Sequence, residues 1–524
     1  MHKKALIIAI SIVLLSAPAA AGPAGKPALH PAQKMELLRL EETWNVLDQV
    51  AAKVWPGWKG YADVPWVFDY ENQTRMLVGH PDPPDEFELV EGVTVRGKKV
   101  YLDRSREVSV ELSWPTGGGG GPRPFGKGND PKSKIETIWI RLDCYRDAGK
   151  APKDENRYRS EDQILLNIHE LFHVYQEAFY KNDDKVDDYR KNPDTHFAVY
   201  SDMEGQALLK AFQAKNGKTS RGYLKDFVAA RLKKYAGMPP GEQLAEKHTD
   251  FIEGMARYSE YASLLEIQKH YMPKPATKAD AYFTAFKNPR YFFERRLEDL
   301  KGSTGMTNAS HFKCYQYGCF QGLLLNRFAP GWQKTIPAKN KYLFEILVDR
   351  LKMSEQELKS ITAGLDAKYD YKSLFAKHNP PIEARDNAFR DFDAQKGRKL
   401  LVDFEPTREF PHTSDYEAKS FMKTFPRDQG TLRYIYPEGF KSLAVQQVSI
   451  EGKGLPLEGR ELYKVGFVDT KGSGYKVSAS KVEDNVYTDA VVVTDGFTLK
   501  VPKMEIKEKD GNVIFVIVSK VKTS

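Results

Sequence analysis

The stretch Ile168–Gln176, IHELFHVYQ, constrains this chain more than any other, because it sets His169, Glu170 and His173 inside an otherwise apolar run. An α-helix accommodates them: each residue turns about 100°, so side chains four apart lie within roughly 40° of each other and one turn apart along the axis. His169 and His173 can then reach one metal ion. Zn²⁺ takes imidazole nitrogen at about 2.0–2.1 Å and, in hydrolytic sites, keeps a position open for water, from which the Glu after the first His accepts a proton. Glu170 occupies that place. The run Ile164, Leu165, Leu166, Ile168, Leu171, Phe172, Val174 predicts a helix, with Ser160 and Gln163 read as a capping box at its start. The other reading of these residues is a buried helix whose two histidines bond backbone carbonyls.

The chain opens MHKK, continues through apolar Ala5–Leu15 and reaches Ala19-Ala20-Ala21 before Gly22. This is the pattern of a secretory signal peptide, with cleavage expected after Ala21, and its apolar run is too short to span a bilayer core of about 30 Å. No Cys stands directly after that site for lipid attachment, and no later stretch approaches about 18 consecutive apolar residues. A secreted or periplasmic chain without a stable membrane anchor is expected. Lys+Arg 79 against Asp+Glu 71 leaves +8, but the basic residues are interspersed with acids, so no nucleic-acid partner is implied. Cys144, Cys314 and Cys319 allow one disulfide with one spare thiol in an oxidising compartment, and the lack of a paired CxxC excludes a cysteine zinc site.

A helical pattern over Pro31–Val54 leads into the turn-rich corner VWPGWKGYADVP, then into strand-like runs at Pro65–Val78, Val93–Leu102, Val108–Trp114 and Ile135–Leu142. The last of these is expected to be the sheet edge on which an extended substrate would lie. Pro115–Ser133, with five consecutive glycines and four prolines, reads as a mobile loop, either a lid or inert surface. Helices are predicted at 160–181, 194–215, 220–236, 241–271, 279–300, 308–328, 340–362 and 381–398. From Leu400 onward short runs rich in Val, Ile, Tyr and Phe alternate with turn residues, and Asp495-Gly496 and Asp510-Gly511 are hairpin signals.

The third metal ligand must come from another helix. A metzincin would place His six positions after His173, where Phe179 stands, and Glu177 lies about 12 Å along the same axis from His169. Glu204 in SDMEGQALLKAF and Glu253 in DFIEGMARYSEY both follow an apolar residue and precede Gly, so composition does not separate them.

The segment EGMARYSEY, with Glu253, Gly254, Ala256, Glu260 and Tyr261, resembles the segment that carries the third ligand in alanyl-aminopeptidase-type gluzincins. That resemblance implies Glu253 as the ligand, with Glu204 left either to orient a ligand histidine or as the alternative ligand. In CYQYGCFQGLLL, Tyr315 followed three residues later by Gly318 matches the tyrosine that helps stabilise the oxyanion in the same enzymes. Tyr317 is the close decoy, and the alternative reading of either is a core aromatic with a satisfied hydroxyl. From WPGW to YQYGCFQGLLLNRFAPGW, roughly 55–330, the chain resembles uncharacterised secreted bacterial gluzincin-like peptidases. The Gly-x-Met-Glu-Asn segment that holds a substrate's amino terminus in the aminopeptidases is missing, so exopeptidase specificity does not carry over.

The expected fold class is α+β: a zincin-like, mostly helical catalytic domain with an N-terminal β-sheet, followed by an all-β, sandwich-like C-terminal domain. The expected divisions are a signal peptide over 1–21, an N-terminal α/β region over 22–150, a helical zinc region over 151–398 and the β-domain over 399–524. The expected activity is zinc-dependent hydrolysis of a peptide or protein substrate, with Glu170 as general base and Tyr315 as oxyanion donor. The competing expectation is a secreted, non-catalytic binding protein whose zinc helix is structural.

Overall fold

The structure, a computed structural model, describes residues 29–70, 74–103, 112–115, 121–127, 131–145, 159–177, 179, 194–269, 271–303, 311–336, 341–403, 432–435, 449–452, 455–456, 464–469, 471–483 and 485–517. The expected signal peptide lies outside them, and no described helix is long and apolar enough to cross a membrane. The architecture is α+β, with a β-sheet near the N-terminus, a helical middle and a C-terminal β-sheet domain. The helices are α1 (Pro31–Val54), α2 (Ser160–Glu177), α3 (Thr195–Gln213), α4 (Gly217–Tyr235), α5 (Pro240–Ile267), α6 (Pro289–Ser303), α7 (His311–Phe328), α8 (Leu343–Leu351), α9 (Glu355–Lys368) and α10 (Tyr371–Ala394). Two compact units emerge, Met1–Asn182 with Ala256–Arg295 and Asp183–Met255 with Arg296–Ser524; α5 is continuous through the division.

The first unit is built on strands β1 (Trp66–Tyr70), β2 (Thr74–Val78), β3 (Phe87–Val95), β4 (Lys98–Asp103), β5 (Leu112–Pro115), β6 (Gly121–Gly126) and β7 (Lys134–Tyr145), in the order β3-β4-β2-β1-β7-β5 with β6 also on β7. Only β1 and β7 run parallel. Trp66, Phe68, Met76, Val78, Ile138 and Ile140 alternate onto one fully buried face, while the opposite face holds a smaller cluster around Val67, Leu77 and Phe87.

β7 is not the sheet edge expected for Ile135–Leu142, because β6 covers its outer side over residues 134–139 and β5 over 142–145. Nor is the Gly/Pro-rich stretch wholly loop. Its residues 121–126 pair as a strand, held by Phe125 against Trp139 (centroids 5.2 Å) and by His80 Nε2 at 3.1 Å from the Phe125 carbonyl. One packed aromatic suffices for an edge strand, and Pro122 and Pro124, which cannot donate to a ladder, fit there with their nitrogens turned away from β7.

α2 packs on α1 and lies along β6 and β7. Its first turn is pinned by tertiary polar contacts in place of the expected capping box. Ser160 bonds Asp280 and receives Arg39 Nε (3.0 Å); Glu161 accepts from the Thr284 and Phe286 amides (2.6 and 3.2 Å); Asp162 pairs with Arg295 (3.1 Å); Gln163 bonds Glu36 and Arg39. Glu161 is nonetheless pushed up by burial, which outweighs those donors. The back of the helix is clamped by the WPGW corner: Trp55 and Trp58 each meet the Phe172 ring at 5.1 Å.

In the second unit a buried ionic cluster takes the place of part of the apolar core. Arg231 reaches Asp250 (2.5 Å) and Glu204 (3.0 Å), Lys234 reaches Glu204 and Glu246 (both 2.6 Å), and Lys313 reaches Glu246 (2.9 Å). Equal numbers of each sign make burial tolerable. Burial raises Glu246, but Lys234, Lys313 and Arg231 outweigh it and hold the carboxyl below the usual range. Alongside, α5 and α7 touch through glycines: a Cβ on Gly318 would stand 1.9 Å from the Asp250 carbonyl oxygen, and one on Gly254 2.4 Å from the Gly318 Cα.

Three predicted helices differ in extent. The one expected at 279–300 begins at Pro289, a favourable first helical residue. The one expected at 340–362 is two, parted where Lys352 turns left-handed (φ 49°) and Ser354 caps α9. α10 starts ten residues earlier than expected, at Tyr371, and runs through Pro380 and Pro381. Leu374, His378 and Ile382 face inward while both prolines are exposed, so the forfeited backbone bonds lie toward water.

The C-terminal strands are β8 (Arg398–Asp403), β9 (Leu432–Ile435), β10 (Ser449–Gly452), β11 (Leu455–Pro456), β12 (Lys464–Asp469), β13 (Lys476–Ser478), β14 (Lys481–Glu483), β15 (Val486–Val493), β16 (Phe497–Lys509) and β17 (Asn512–Ile517). β16 pairs with β10 through its first half and with β17 through its second, while β15 follows its other edge. Inward residues Leu400, Val402, Phe467, Val492, Phe497, Leu499, Val513 and Phe515 make one core, with the Phe467 and Phe497 rings stacked at 3.9 Å. Asp510 and Gly511 both take positive φ (54° and 77°), the requirement of the tight hairpin their sequence signals.

The glycine contact yields a stability prediction. Gly318→Ala forces backbone apart at the crossing of α5 and α7 and should cost about 3 kcal/mol or more, beyond the usual overpacking range of about 1–3. Urea unfolding of the two proteins checks it; equal midpoints would mean the helices separate freely.

Candidate metal centre

On α2, His169 and Glu170 are buried and His173 is half-buried. Each imidazole is fixed through Nδ1: His169 Nδ1 lies 2.8 Å from Glu260 Oε1, and His173 Nδ1 lies 3.1 Å from Gln176 Oε1. The Glu260 carboxylate accepts, so His169 donates from Nδ1 and turns its Nε2 toward His173. The two Nε2 atoms stand 3.1 Å apart. A single zinc ion would find both nitrogens within reach.

α5 supplies the next group. Ligand atoms of His169, His173 and Glu253 lie within 4.8 Å of one another. Glu253, Arg257 and Glu260 stand at i, i+4 and i+7, one stripe along the helix, and Arg257 Nη1 donates to Glu260 Oε2 at 2.7 Å. The donor set of two imidazoles and a carboxylate fits Zn²⁺, and orienting partners on Nδ1 are what such ligands ordinarily have.

β6 borders Glu170. Gly121, at φ +137°, presents its Cα to Glu170: a Cβ there would come within 3.5 Å of Oε2. Two residues on, Arg123 is half-buried, and the Glu170 charge acts on it favourably.

Compared with known protein families, curated proteins and solved structures, the chain finds no match.

The remaining expected site residues separate. Glu204 is ion-paired with Arg231 and Lys234 in the buried ionic cluster. The group that orients His169 is Glu260, signalled in the sequence by its place seven residues after Glu253 and by the Glu-Tyr pair of EGMARYSEY. Tyr317 donates its hydroxyl to the Ser201 carbonyl at 2.7 Å and is fully buried, a core aromatic with a satisfied hydroxyl. Tyr315, two residues earlier on α7, is half-buried. Cys314 and Cys319 are free and buried, with burial raising the Cys314 thiol well above its ordinary range; the Cys144 side chain lies outside the described residues.

Zinc titration should therefore rank three variants. Glu253→Gln weakens metal retention most, and Glu260→Gln weakens it about 10–100-fold by releasing the His169 ring. Glu204→Gln leaves metal affinity intact but costs about 3–5 kcal/mol of stability, because Arg231 and Lys234 lose a buried partner. A folded Glu204→Gln protein that no longer retains zinc would reverse the assignment.

Proposed function

We propose that this chain is a zinc-dependent peptidase of the gluzincin kind, exported by way of its N-terminal leader, with His169, His173 and Glu253 as metal ligands and Glu170 as general base. The observation that carries this reading is the pair of Nε2 atoms 3.1 Å apart, each ring's other nitrogen engaged, with Glu253 in reach. Zinc bound there supplies Lewis acidity and brings the pKa of a ligated water toward about 7. Glu170 accepts the proton of the attacking water and returns it to the departing amine nitrogen. Gly121 leaves its carboxylate uncrowded on the β6 side.

The substrate suited to this frame is an extended chain lying along β6. The outward carbonyls of Pro122 and Pro124 accept from substrate amides, while the prolines offer no donor in return. The EGMARYSEY segment supports Glu253 as ligand. Tyr315 is the better oxyanion donor because the Tyr317 hydroxyl is already used. A phenol donates and stays protonated near neutral pH.

Two variants test the chemistry. Glu170→Gln should retain about one zinc per chain and lose peptide hydrolysis, since the near-isosteric amide cannot take a proton; a fully active variant would remove Glu170 from the reaction. Tyr315→Phe should lower kcat by roughly 10²–10³ with little change in KM or zinc content. For the reading as a whole, elemental analysis and chelator-sensitive cleavage of a peptide library are decisive: protein purified without chelators that holds no metal, or that cleaves nothing when zinc-loaded, would end it.

A further inference from the structure

We propose that Arg123 is a substrate anchor, which receives a carboxylate carried by the substrate within two residues of the bond to be cleaved. The inference rests on the peptidase reading above and adds a substrate class to it, acidic peptides.

Arg123 sits in the middle of β6, opposite Thr137. The strand begins at Gly121, which abuts the Glu170 carboxylate, and two residues of strand span about 7 Å, a distance an arginine side chain can cover. The guanidinium is half-buried yet makes no hydrogen bond or ion pair with any described residue. Its neighbours act on it at longer range: Arg141 repels it, while Glu170 and Asp69 attract it. Burial and then Arg141 lower its pKa, though arginine remains charged.

Charged groups withdrawn from water are ordinarily paired. An unpaired guanidinium beside the general base is thus placed for a partner that arrives with the substrate, and its planar fork matches a carboxylate in two parallel hydrogen bonds. Glu170 cannot be that partner during turnover, because it must exchange its proton with water and product. Either an Asp or Glu side chain or the terminal carboxylate of a short peptide offers the required group.

The test uses the zinc-loaded full-length mature protein and peptide pairs that differ in one group: Glu against Gln at each position flanking the cleaved bond, and free C-terminal acid against amide. The expected kcat/KM ratio is about 10–100 in favour of the carboxylate member, the worth of one charge-assisted hydrogen-bonded contact. Which pair carries the ratio identifies the source. In Arg123→Gln the ratio should fall to near one, and Arg123→Lys should keep part of it. The same pairs are also measured by fluorescence anisotropy on Glu170→Gln protein, with and without zinc, which reads the anchor without turnover. Cleavage with no preference, or a preference that survives Arg123→Gln, overturns the anchor and leaves the peptidase reading standing. If nothing is cleaved, the peptidase reading fails, and equal binding of both members of every pair overturns the anchor as well.

Discussion

The hydrogen bond between His169 Nδ1 and Glu260, 2.8 Å long and almost wholly out of water, fixes more than one ring. It orients the imidazole, and it ties α5 to α2 at that level. Because α5 is unbroken, fixing Glu260 also fixes Glu253 two turns earlier. Arg257 braces the arrangement from the same stripe. Low local dielectric strengthens such a charge-assisted contact and makes its loss expensive.

Rigidity elsewhere serves the same end. The start of α2 is tied by four successive side chains to partners far away in sequence, and its back is closed by tryptophans, so the turn bearing the histidines cannot slide. A helix held only by apolar packing would tolerate small shifts at little cost. On the proposed reading the imidazole pair would not, since metal–ligand distances are set to within a few tenths of an ångström.

What could be read from sequence follows the range of the interaction responsible. His169, Glu170 and His173 were legible because four-residue spacing on a helix is local, and the Asp510-Gly511 hairpin because two positive-φ residues are its whole requirement. Glu204 and Glu253 were inseparable because their flanking residues are alike; what parts them is Arg231 and Lys234, on another helix. Tyr317 was settled only by the Ser201 carbonyl, 116 positions away. The misread segments, β6 and the first turns of α10, are rich in glycine or proline, whose local preferences were overridden by one packed Phe125 and by the inward stripe Leu374, His378 and Ile382. Arg123 carried no sequence signal at all, for an arginine between prolines looks like ordinary surface.

The prolines of β6 bear on how this protein keeps to itself. An uncovered strand edge is a template on which a second copy of the same chain can assemble, and repeated pairing of that kind leads to aggregates. Two identical edges need donors from both sides, and Pro122 and Pro124 remove them from each. A foreign strand that brings its own amides can still dock. Among the described residues, then, the outer edge of β6 offers acceptors without donors at Pro122 and Pro124, a poor template for a second copy of itself.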